Sequence, residues 1–296
     1  MRHALTLTLA STLLTSCVIN SNQYTRPRDL QPQSQVVGLR ILAIQAEPPE
    51  LAPGETATLQ ALLVDLGGVS DNTLWVGCGP DAASNFGCPF DPSALDEDAT
   101  FEELIAAGVI GLEPDLPPTL TAQEEWLEGL DEDEQLEGLN WTVNALALPA
   151  DAPADGEFDF NQVESAFKRV VVSRATTPNR NPGLVDFTVD GEVVADGEVA
   201  IITPGKSYEL APVLADDAIQ TYDFKNRDGE VEERVEQLYC EWFSTSGTVT
   251  EFNTLEPFLE STWVAPDVTG RTGRWFVVVK DRRGGLSWLV RDWEIR

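Results

Sequence analysis

The sequence predicts an all-β chain built as two tandem β-sandwiches, the first carrying a partly helical, acidic insertion. Three observations lead there. Runs such as Gly273-Arg274-Trp275-Phe276-Val277-Val278-Val279-Lys280 place Trp275, Val277 and Val279 on one strand face, the period of a strand with a buried side. Two stretches match at an offset of 151: Leu51 to Asp65, opening Leu51-Ala52-Pro53-Gly54, and Ile202 to Asp216, opening Ile202-Thr203-Pro204-Gly205. Each is a Pro-Gly turn followed by an alternating strand. Finally, 296 residues that are 42% hydrophobic and hold eight tryptophans suffice for about two cores of ordinary size.

From the amino end, residues 1–16 read as a secretory signal. Arg2 and His3 precede an apolar run of about a dozen residues, too short to span a bilayer as a stable helix. Leu14-Thr15-Ser16-Cys17 then resembles the lipobox of bacterial lipoproteins. That resemblance implies cleavage before Cys17, a diacylglycerol on its thiol and acylation of the new amino terminus. Two or three acyl chains hold a protein at a membrane where one does so only marginally. Val18 in place of aspartate after the cysteine resembles the sorting pattern for the outer membrane. Residues 17–35, polar and with Pro27 and Pro32, read as a flexible tether.

The first sandwich is expected over 36–175. Its strands are Val37 to Ile44, the repeat stretch, Leu74-Trp75-Val76, Trp141 to Leu146 and Arg169 to Ser173. Residues 79–137 interrupt it as an insertion of poor strand formers. Within it, Thr100-Phe101-Glu102-Glu103 and Thr121-Ala122-Gln123-Glu124 read as capping boxes opening short helices. Residues 176–183 are a rigid Pro- and Asn-rich linker.

The second sandwich is expected over 184–296, with Leu184 to Val189, the repeat, Tyr239-Cys240-Glu241-Trp242-Phe243, and a turn at Gly284-Gly285 into Leu286 to Val290. Its Gly-x-aromatic-x-Val-x-Val-x-Asp run, with Trp242 and Trp263 before it, resembles bacterial immunoglobulin-like and PKD-type domains. The resemblance covers roughly residues 183–296 and implies a sandwich. The usual pair of disulfide cysteines is missing from it.

With Cys17 lipidated, Cys78 and Cys88 are spaced for a local disulfide at the base of the insertion, and Cys240 reads as a buried free thiol. His3 is the sole histidine and falls in the signal, so the mature chain has no imidazole for triads, zinc or acid–base work. Between Ile41 and Glu164 there are 27 acidic residues and no lysine or arginine, within a net charge of −31. That excludes nucleic acid as a partner and reads first as a solvated acidic face. The nearest calcium motif puts Asp151, Asp155 and Asp159 in an EF-hand-like spacing, weakened by Pro153 at the third position and Gln162 at the twelfth. Trp126, on the second insertion helix, is the candidate for ligand contact.

These features read as a non-enzymatic, cofactor-free envelope lipoprotein of the outer membrane, facing the periplasm or the cell surface. It would act as a binding or structural module, with the membrane and an envelope protein or glycan as partners. The alternatives are a calcium- or carbohydrate-binding surface protein and a carboxylate-dependent glycoside hydrolase drawing on Asp131-Glu132-Asp133-Glu134.

Overall fold

The structure, a computed structural model, describes residues 32–65, 73–79, 88, 109–110, 117–147, 163–226 and 229–296. The signal, Cys17, the Thr100 capping box and Asp151, Asp155 and Asp159 lie outside the described residues. Gln33–Arg296 forms one compact unit.

The first sandwich holds β1 (Arg40–Glu47), β2 (Glu50–Leu51), β3 (Thr56–Val64), β4 (Thr73–Cys78), β5 (Val109–Ile110), β6 (Thr119–Thr121), β7 (Leu139–Ala147) and β8 (Glu164–Val172). They form a sheet β1-β3-β6 facing a sheet β2-β8-β7-β4-β5. The second holds β9 (Leu184–Val189), β10 (Glu192–Val193), β11 (Val199–Ile202), β12 (Ser207–Leu214), β15 (Tyr239–Ser244), β16 (Thr248–Val249), β17 (Asn253–Leu255), β18 (Ser261–Val264), β19 (Thr272–Lys280) and β20 (Leu286–Ile295). These form β10-β9-β12-β18-β16 facing β11-β20-β19-β15-β17. A separate hairpin pairs β13 (Thr221–Lys225) with β14 (Val231–Val235).

The sequence repeat marks equivalent positions in the two sandwiches. Leu51 ends a short strand lying parallel to β8, and Ile202 ends one lying parallel to β20. After each, a Pro-Gly turn places Gly54 at φ 85° and Gly205 at φ 65°, the left-handed region that glycine enters without a Cβ clash. The following strands, β3 and β12, then pair antiparallel with β1 and β9.

Between the second pair of sheets, Trp242, Trp263, Trp275 and Trp293 are all buried with Phe187. Trp263 meets Trp275 edge-on at 5.0 Å, and Phe187 meets Trp275 edge-on at 6.0 Å, the geometry that aligns ring edges with π-faces. Cys240 is fully buried among them, and burial pushes its thiol pKa up to about 12. The first core is smaller in aromatics: Leu51, Leu59, Trp75, Val143 and Val172, among others.

The insertion differs from its expectation. Residues 109–110 pair with β4, and 119–121 complete the β1-β3-β6 sheet, with Leu120 and Leu127 buried in the first core. Three residues beside Pro117 and Pro118 are too few to display alternation, so the sequence hides β6. The Thr121 capping box does not form. Thr121 sits in β6, its hydroxyl 2.8 Å from that of Thr56, and a 3-10 turn at Glu124–Trp126 follows without a side-chain cap. The capping box is ten residues on, where Asp131 accepts from the Glu134 N–H and Glu134 from the Asp131 N–H, opening a helix at Glu132–Glu137. The part of the insertion from 117 to 137 is therefore not detachable, because a sheet strand and part of the core lie in it.

The tether–body boundary also shifts toward the amino end. Ser34 and Gln35, expected in the tether, are fixed to the second sandwich: Ser244 N–H donates to the Ser34 carbonyl and Val36 N–H to the Ser244 carbonyl. Val36 is fully buried. The chain thus adds a few residues to β15 before it enters β1.

Candidate functional site

A buried polar cluster that draws on both sandwiches lies where they meet, and the seam has an apolar and a polar half. A bulge between Ile41 and Ala43 interrupts the alternation of β1. Ile41 and Ile44 face the first core, while Leu42 and Ala43 face outward. There they join Val36, Leu62 and Val64 against Phe243, Phe276, Val278 and Leu286 of the second sandwich. β1 and β19 are consequently covered on both faces.

The polar half is organised by the β19–β20 loop. Asp281, 1% exposed, accepts at Oδ1 from the N–H groups of Arg283, Gly284 and Gly285, at 2.7, 2.9 and 2.9 Å. This is the turn-forming role of a short acid at a loop start. A Cβ on Gly285 would lie 2.1 Å from Asp281 Oδ2 and 2.8 Å from the Arg180 carbonyl, so the loop can close only over glycine. The turn aims Arg283 back into the seam. Its guanidinium reaches Glu236 at 2.9 Å and Glu50 at 3.5 Å, and lies over the Tyr222 ring at 4.1 Å. Glu50 belongs to the first sandwich, and Glu236 follows the hairpin of the second.

The stretch 176–183 is stitched into this cluster. Asn179 N–H donates to Glu50 Oε2 at 2.6 Å, and the Asn179 amide donates to Asp281 Oδ2 at 2.8 Å. Asn181 donates to the Ala46 carbonyl at 2.8 Å and accepts from Leu286 N–H at 2.9 Å. Ser173 Oγ donates to Glu50, and Gln220 N–H to Glu236 Oε2 at 2.9 Å. Each oxygen of Glu50, Glu236 and Asp281 thereby has a donor, which is what holds charge in a buried place. The hairpin adds an exposed brace, Lys225 pairing with Asp133 of the capped helix.

Lys168 is the costly member. It sits at the core parity of β8 with Val170 and Val172, is 8% exposed, and donates from Nζ to the Gly284 carbonyl. Burial drives its pKa down to about 8, against the attraction of Asp281. Burial likewise raises the pKa values of Asp281 and Glu236, opposed by their hydrogen bonds. Between pH 8 and 10.5 the unfolded chain holds the Lys168 proton and the folded chain does not, so stability climbs with pH across that window. At neutral pH the buried ammonium costs on the order of 3 kcal/mol. Lys168→Met is therefore expected to raise the free energy of urea unfolding at pH 7 by about 1–3 kcal/mol after loss of the Gly284 bond. The gain should shrink as pH passes 8 and vanish by 10.5; a gain flat in pH would contradict the assignment.

The residues singled out from the sequence lie elsewhere. Cys78 and Cys88 are bonded to each other, with Cα atoms 5.6 Å apart, and the Cys88 backbone is held to Asn144 on both sides of its peptide. Trp126 lies half-buried at the edge of the first core with its ring 4.3 Å from Trp141, edge-on. That ring is engaged in packing. Asp131 and Glu134 are engaged with each other's backbone at the helix start.

Sequence reasoning missed Glu50, Lys168, Asn179, Glu236 and Arg283. Lys168 carried a signal, a charge in phase with the buried residues of an alternating strand. The hairpin was readable too, since Tyr222 and Phe224, and then Val231 and Val235, flank Asn226-Arg227-Asp228-Gly229.

No protein-family model matches the chain, and no curated protein matches it. Solved structures that align with the chain include murine CEACAM1b, at 11% identity over 88% of this chain and 100% of that one, TM-score 0.25. The fibronectin(III)-like modules of Clostridium thermocellum CbhA align at 10% identity over 86% and 94%, TM-score 0.25. The tandem Ig repeats of Dlar align at 10% over 88% and 96%, TM-score 0.26. At such identities and scores the likeness assigns neither a family nor an activity.

Proposed function

We propose that the chain is a lipoprotein of the bacterial envelope, fastened to the outer membrane through acylated Cys17, whose two sandwiches work as one stiff, non-catalytic module. The observation that carries this reading is the seam. A module that only needed to string two domains together would be served by a solvated linker, and independent domains move relative to one another unless their interface is large and apolar. Here an apolar layer and an ionic cluster whose carboxylate oxygens all have donors occupy that place. The buried carboxylates of the cluster are saturated by donors, which supports a clamp over an acid–base pair. A stiff body fixes the spacing between whatever its two sandwiches contact, while the flexible tether sets how far from the membrane it reaches.

The lipid half of the proposal is tested by labelling cells with palmitate and fractionating them. The native chain should take up label and sediment with outer membranes, and Cys17→Ser should be unlabelled and leave the membrane fraction. Label retained by Cys17→Ser would overturn the anchor.

A further inference from the structure

The last strands carry seven conspicuous cations, and six are engaged. Arg274 pairs with Asp292, Lys280 with Glu241, Arg283 with Glu236, Arg291 with Asp186 and Arg296 with Glu294, while Arg271 bonds the Ser246 hydroxyl. Arg282 is different: among the described residues its guanidinium has neither an ion pair nor a hydrogen bond, and its backbone stands at φ 66°. A non-glycine residue held there stores strain, and such positions concentrate at ligand contacts. In a chain of net charge −31 an arginine without a carboxylate partner among the described residues is also conspicuous.

Arg282 lines an open groove of about 500 Å³ with Tyr239, Glu241, Asn253, Thr254 and Leu255, a volume in the range of small-ligand sites. Tyr239 and Glu241 share the outward face of β15 with Phe243, and the groove lies along that strand beyond the part covered by the first sandwich. Lys280 and Arg282 both approach the Tyr239 ring, at 5.6 and 5.9 Å. Glu241 lies 2.7 Å from Lys280 and keeps acceptor capacity toward the groove, and Asn253 is exposed. The groove thus presents a guanidinium without an ion pair among the described residues, one amide that donates and accepts, one carboxylate acceptor and the apolar edge of Leu255. Glu241 and the acidic field disfavour a phosphate dianion, and the mixed donors and acceptors match hydroxyl groups.

We propose that this groove binds a carboxylated sugar of the uronate class, the carboxylate on Arg282 and ring hydroxyls on Asn253 and Glu241. The site deepens the module reading by giving it a ligand, and it does not depend on acylation of Cys17. It is tested on the folded chain from residue 18 onward by titration calorimetry. The probes are methyl galacturonoside, which carries a single charge, its neutral counterpart methyl galactoside, inorganic phosphate and acetate.

Methyl galacturonoside is expected to bind in the millimolar range or tighter and to outcompete the other three. Arg282→Gly should weaken it by about tenfold or more. The same variant should melt at an equal or higher temperature than the native chain, because glycine relieves the positive φ. A purely structural Arg282 would do the reverse, lowering the melting temperature. Asn253→Ala should weaken binding without moving the melting temperature. Absence of uronoside binding, equal binding by Arg282→Gly, or phosphate, acetate or the neutral galactoside matching the uronoside would each overturn the proposal. None of those results bears on the palmitate test, so a failure here is distinct from a failure of the anchored-module reading.

Discussion

Arg283→Ala is expected to destabilise the chain by about 3–5 kcal/mol in urea unfolding, the cost of breaking a buried pair by removing one partner. The substitution leaves Glu50 and Glu236, at 6% and 5% exposure, without their shared cation. Both carboxylates keep neutral donors, Ser173 and Asn179 for one and Gln220 for the other. Those bonds reduce the penalty but do not cancel two negative charges in one small buried cluster. Arg283→Lys should recover only part of the loss, since an ammonium cannot present separate N–H groups to two acids and lie flat over Tyr222. The form of the transition matters as much as its midpoint. Because Arg283 joins the sandwiches and is part of neither core, its loss should split a single unfolding transition into two. A variant within about 0.5 kcal/mol of the native chain, the range of ordinary surface changes, would show the cluster to be incidental.

Trp275→Ala is expected to cost a similar 3–5 kcal/mol for a different reason, a cavity that the surrounding rings cannot fill. Its indole is fully buried and touches Phe187, Trp263 and Trp293 at centroid distances of 6.0, 5.0 and 6.1 Å. Four mutually oriented aromatic rings cannot collapse onto a void without leaving their rotamers. Trp275→Phe should cost much less. The Trp275 Nε1 has no acceptor among the described residues, so that change removes volume without breaking a hydrogen bond. Trp242→Phe has the same volume change but breaks a bond to Thr254 at 2.9 Å, and should be the worse of the two. Equal losses for the two phenylalanine variants would contradict this account of the core.

The strands were legible because alternation reports one buried face, and the 151-residue offset because the same Pro-Gly turn begins the same strand twice. The same habit concealed the seam. Ile41-Leu42-Ala43-Ile44 and Trp275-Phe276-Val277-Val278-Val279 do not alternate; they are apolar on both sides. Continuous runs of this kind belong to sheets covered on both faces, and two such runs in one chain imply that each sandwich covers the other. Phe276 and Val278 had no assigned partner until Leu42 and Leu62 were placed against them. Glu50, Asn179 and Arg283 were beyond reach for another reason. They are separated by more than a hundred residues and meet only through the tertiary fold, and no local pattern distinguishes Arg283 from Arg282 beside it. The acidic excess between Ile41 and Glu164 also drew attention to the insertion, where β6 and Leu127 turned out to be ordinary parts of the first sandwich.

Stiffness across the seam is most directly measured as a distance. Spin labels at Glu128→Cys on the first sandwich and Thr248→Cys on the second occupy exposed sites. The remaining free thiol, Cys240, is buried with its pKa near 12 and will not react. Pulsed dipolar spectroscopy on the native background should give one narrow distance distribution, broadened by Arg283→Ala. A broad distribution in the native chain, unchanged by that substitution, would mean that the two sandwiches move independently.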